Sequence, residues 1–84
     1  MRHLDYRTHG TCSTAIHIDL DDTGTTIESV SFDGGCNGNL KAIGKLVKGM
    51  PAAEVADLLE GNTCGPRPTS CADQLARALR QAQA

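Results

Sequence analysis

Two runs of the chain alternate apolar and polar residues with a period of two. In the first, Ile16, Ile18 and Leu20 are interleaved with His17, Asp19 and Asp21; the second, Thr26 to Asp33, alternates through Val30 and Phe32. That period belongs to strands with one buried face. Asp21-Asp22-Thr23-Gly24 between them supplies turn chemistry, with Gly24 able to take positive φ. The two runs predict an antiparallel hairpin. A shorter alternation over 3–8 sets Leu4 and Tyr6 against Asp5 and Arg7 and predicts an N-terminal strand, followed by a loop through Gly10 and Cys12.

Beyond Phe32 the period becomes helical. Leu40, Ile43, Gly44 and Val47 form one face, and Lys41, Lys45 and Lys48 lie on the polar side. Asn37 or Asn39 can cap this helix, and Gly49 ends it. Met50-Pro51 opens a second helix with an apolar stripe of Val55, Leu58 and Leu59, stopped by Gly61. The stretch Asn62 to Thr69 holds two prolines and reads as a stiff loop. A third helix runs from Cys71 to Gln83, with Leu75 and Leu79 one turn apart. Ser70 is its N-cap, and Asp73, three residues on, completes a capping box. The order predicts an α+β fold in one domain over 1–84: a small antiparallel sheet, hairpin plus N-terminal strand, with three helices on one face.

Composition adds a constraint. Eighty-four residues with one Tyr, one Phe and no Trp have little area to bury, so an added staple is expected. A formal charge of -2 gives no electrostatic footprint for nucleic acid or an anionic membrane. Met1 to Tyr6 lacks a signal-peptide core and no run could span a bilayer, so the expected location is the cytoplasm, where thiols stay reduced.

The four cysteines carry the chemistry. With the turn near Thr23, positions summing to about 46 to 48 face each other across the hairpin, and Cys12 and Cys36 meet that condition. Cys36 precedes one helix and Cys71 opens another, where unpaired N–H groups favour a thiolate. Cys64 lies in the proline loop. The expectation is a tetrahedral thiolate site of Cys12, Cys36, Cys64 and Cys71, for zinc, or for iron alone or in a cluster. The spacing is not that of a zinc ribbon, and two disulfides or buried thiols are the competing accounts. Candidate contacts to a bound group are Gly34 and Gly35, whose backbone can approach closely, Asn37 at the helix start, and Arg67, which could donate to sulfur. His9 reads as a surface residue or a spare ligand, and His17 as solvated. No Ser/His/Asp order, phosphate loop or paired-carboxylate pattern is present.

With these residues in view, the chain resembles the small four-cysteine proteins of the TSCPD-domain family. Its Thr-Ser-Cys-Pro-Asp motif stands here as Thr69-Ser70-Cys71-Ala72-Asp73, and Gly34-Gly35-Cys36-Asn37-Gly38-Asn39 and Cys64-Gly65 also match. Ala72 replaces the family's frequent proline, a change the first helical turn accepts. Related domains end adenosylcobalamin-dependent ribonucleotide reductases, and the resemblance implies a metal-binding tail. A more distant likeness is to U-type iron–sulfur cluster scaffold proteins, whose three cysteines match Cys12, Cys36 and Cys71. Here Thr14 replaces the scaffold's aspartate, Ser70 its histidine, Gly65-Pro66-Arg67-Pro68-Thr69 its chaperone-binding stretch, and Cys64 is added. The expected function is a zinc-binding interaction module without catalysis of its own, acting on a protein partner. The alternative is iron–sulfur assembly, sulfur or electron transfer, or thiol redox chemistry on the same cysteines.

Overall fold

A computed structural model describes residues 2–11, 13–34, 37–62 and 69–83. Strands β1 (Arg2–Arg7), β2 (Ser13–Leu20) and β3 (Ile27–Gly34) precede helices α1 (Asn37–Val47), α2 (Ala52–Leu59) and α3 (Cys71–Gln83). The strands form one antiparallel sheet in the order β1-β2-β3. Strands and then helices, α+β, is the architecture the alternation predicts.

The hairpin register follows from its turn. Asp21 Oδ1 accepts the Thr25 N–H at 2.9 Å and the Thr23 hydroxyl at 2.9 Å, and Gly24 sits at φ 74°. This Asx-type turn pins Ile16 opposite Phe32, Ile18 opposite Val30 and Asp19 opposite Ser29, all pairs of positions summing to 48. Register shifts near each end carry Ser13 opposite Gly34 and Leu20 opposite Ile27.

One face of the sheet is the core. Ile16, Ile18, Leu20 and Ile27 are buried against Val47, Val55, Leu75 and Leu79, with Leu4, Tyr6, Val30 and Phe32 packed around them. Full burial of each large aliphatic side chain stabilises the fold by roughly 1.5–3 kcal/mol. Helix α1 lies along β3, α3 covers β1 and β2, and α2 packs on α3. Gly44 lets α1 approach β3 closely, because a Cβ there would stand 2.6 Å from the Val30 carbonyl oxygen. The α1–α2 connection also hydrogen-bonds to the start of β3: Ile27 N–H donates to Met50, Gly49 N–H to Ile27, and Ala52 N–H to Thr25.

Three local expectations are corrected. Helix α2 turns Ala52, Val55 and Ala56 inward, while Leu58 is 66% exposed, because the alanine-rich surface of α3 admits small residues at close range. Asn39 lies inside α1 and is not its cap, since the helix begins at Asn37. Asp73 makes only half of a capping box. Its N–H donates to Ser70 Oγ at 3.1 Å, but its carboxylate is engaged elsewhere, as described below. No helix among the described residues is long and apolar enough to cross a membrane.

Candidate functional site

Helix α3 begins in a buried polar knot. Ser70 Oγ accepts the Asp73 N–H and donates its own proton to the Asn62 carbonyl, so the N-cap also ties the helix to the end of α2. The Asp73 carboxylate accepts the Thr69 hydroxyl and, at 2.8 Å, the Gly61 N–H, and it pairs with Arg77 at 3.1 Å. Burial pushes this carboxyl up. The Thr69, Gly61 and Arg77 donors outweigh that and hold it below the usual carboxylate range. Gln74, 2% exposed, donates to Thr69 Oγ1 at 3.0 Å and accepts the His9 N–H at 3.2 Å. Among the described residues, no buried side-chain nitrogen or oxygen lacks a partner.

Cys71 stands at the first position of α3, half-buried, as the cap chemistry predicts. Its Sγ lies 3.1 Å from Ser13 Oγ, and Ser13 also meets the Thr11 hydroxyl at 3.2 Å. Ser13 directly follows Cys12 in the chain and pairs with Gly34, two positions before Cys36. Asn62, held by Ser70, stands two positions before Cys64. Gly34 closes β3 at φ 76°, and Asn37 opens α1. Cys12, Gly35, Cys36, Cys64 and Arg67 lie outside the described residues.

The face of the sheet opposite the helices carries a second cluster, which the sequence reading missed. His3 and Asp5 alternate onto that face from β1, His17 and Asp19 from β2, and Ser29 and Asp33 from β3. Asp5 lies directly opposite His17, and His3 opposite Asp19. Asp5 Oδ1 is 2.7 Å from His3 Nε2 and 2.6 Å from His17 Nδ1. The outer ring nitrogens are held as well, His3 Nδ1 by Asp19 at 2.6 Å and His17 Nε2 by Asp33 at 2.8 Å. Asp19 also accepts the Ser29 hydroxyl at 2.7 Å. The result is a continuous row, Asp19–His3–Asp5–His17–Asp33, across three strands. Asp19 and then Asp5 raise His3 above its usual range, and Asp5 and then Asp33 do the same for His17. His17 is on the polar face as expected, but it is hydrogen-bonded rather than merely solvated. The only sequence signal was the repeated His-x-Asp, at 3–5 and 17–19, on polar strand positions.

Residues 2–83, nearly the whole chain, match the TSCPD domain, and the chain belongs to that family. No match was found among curated proteins or among solved structures. The likeness to iron–sulfur scaffolds therefore rests on the order of residues alone.

Proposed function

We propose that this TSCPD-domain protein is a metal-binding interaction module. The thiolates of Cys12, Cys36, Cys64 and Cys71 hold one ion, zinc in the first instance, and the folded surface docks to a protein partner. The observation that carries this reading is the convergence of the segments flanking the four cysteines. Ser13, next to Cys12, contacts Cys71 and pairs with Gly34 near Cys36, while Ser70, next to Cys71, holds Asn62 near Cys64. The donor set fits as well. Four thiolates satisfy a tetrahedral ion completely and leave no open position for substrate, so the site staples a thin core and does not catalyse. Within the chain, Ser13 Oγ lies 3.1 Å from the Cys71 sulfur, where a thiolate would accept its proton, and the α3 N-terminus opposes the negative charge of the thiolates.

Metal analysis of anaerobically purified, gel-filtered protein, with an absorption spectrum on the same sample, tests the reading. About one zinc per chain, no visible band, and a melt lowered by chelation under reducing conditions are expected for a structural site. Iron with a brown chromophore would overturn the zinc assignment in favour of cluster chemistry. Metal-free protein with unreacted thiols or a disulfide would overturn the metal reading itself.

A further inference from the structure

We propose that His3, Asp5 and His17 form a second metal site, separate from the cysteines, for an exchangeable divalent first-row ion on the open face of the sheet. A neutral imidazole has one N–H and one lone pair, so it can donate to one carboxylate only. Each of these rings faces carboxylates on both sides, at 2.6–2.8 Å. If the outer nitrogens donate to Asp19 and Asp33, the two inner nitrogens, His3 Nε2 and His17 Nδ1, both turn lone pairs toward Asp5 Oδ1. A positive charge must then sit between them.

Two protons can supply that charge, and so can one divalent ion. The exchange balances, because one M²⁺ enters as two protons leave and the net charge of the row is unchanged. The geometry suits an ion. The three ligand atoms lie within 4.8 Å of one another. Metal–donor bonds of 2.0–2.1 Å in a tetrahedral site set donors about 3.4 Å apart. Asp5 therefore needs to withdraw by under ~1 Å from each ring, which side chains 53% and 61% exposed at His3 and Asp5 allow.

The second row of contacts supports the same assignment. A carboxylate behind each ligating imidazole fixes its tautomer and orientation and raises its basicity, and Asp19 and Asp33 occupy those places. Two imidazoles and one carboxylate suit zinc and its neighbours and do not suit calcium or magnesium, which take oxygen ligands. Three protein ligands on an open face leave room for water or a donor from another molecule, in contrast to a closed four-thiolate site.

Zinc is the probe. Reduced protein, with whatever metal the cysteines retain, is taken to equilibrium against buffered zinc while the imidazole resonances are followed by NMR. One further zinc per chain is expected, with His3 and His17 signals shifting and His9 unmoved. His17→Gln should abolish the added equivalent. Asp19→Asn, which replaces no ligand but removes the carboxylate behind His3, should weaken it about 10–100-fold at unchanged stoichiometry. Cys71→Ser should leave the added equivalent and the His3 and His17 shifts intact, which separates this site from the cysteine reading. No added zinc, equal binding by His17→Gln, or a His9 shift equal to the others would each overturn the proposal.

Discussion

The hydroxyl oxygen of Ser13 lies 3.1 Å from the sulfur of Cys71, although 58 positions separate the two residues. This contact joins the first residue of β2 to the first residue of α3. It brings the sequence neighbour of Cys12 to the cysteine that opens the last helix.

Ser13→Ala removes a polar group directed at that sulfur without altering the sheet. Under the four-thiolate reading, metal retention should fall about 10–100-fold, measured by competition with a chromophoric chelator, while the far-ultraviolet dichroism stays unchanged. Equal retention by the variant would show that Ser13 plays no part in tuning the sulfur.

Asp73 is the residue on which the α3 start depends. Asp73→Ala leaves the Gly61 N–H and the Thr69 hydroxyl without their acceptor, and both lie in or beside the buried knot. The cost should be about 1–3 kcal/mol for each orphaned donor, read from urea unfolding. Ala72→Pro, at the motif position next to it, should be nearly neutral because the first turn accepts proline.

Gly44→Ala sets two effects against each other. Helix propensity alone favours alanine by about 0.8–1 kcal/mol. Here the new Cβ would meet the Val30 carbonyl oxygen at 2.6 Å, and backbone cannot rotate away as a side chain can. Steric overlap should win, with a net loss of about 1–3 kcal/mol. Gly38→Ala, which has open space around it, serves as the control and should not destabilise.

The His–Asp row makes stability depend on pH from both sides in metal-free protein. His3 and His17 are raised above the ordinary 6.5, so their contribution is complete below that value and is lost as pH rises through the folded values. Asp5, held down by His17 and then His3, and Asp19, held down by His3 and then Ser29, act oppositely. Their contribution is present above the ordinary 3.8 and is lost on acidification through the lowered values. Urea midpoints taken in chelator should therefore form a plateau between these limits and decline beyond each. Asp5→Asn should flatten the alkaline decline; an unchanged decline would locate its origin in other groups.

Much of this molecule is local chemistry and is legible in the sequence. Alternation at Ile16-Ile18-Leu20 and Val30-Phe32, with an Asp-Asp-Thr-Gly turn between, specifies a hairpin and its register, because the turn fixes which positions face each other. Ser70 before Cys71 specifies where α3 starts, because an N-cap acts within one turn of its own helix. The inward face of α2 was not local. Leu58 and Ala56 compete for it, and the small side chains of α3 decide in favour of alanine. Nor was the destination of the Asp73 carboxylate, which depends on where α2 ends. The His3–Asp5–His17 row is the clearest case. Its residues alternate correctly in the sequence, yet they meet only through the register of β1 on β2, which Gly10 in the loop between those strands does not by itself specify. Periodicity assigns a residue to a face; tertiary pairing decides which residues on that face touch.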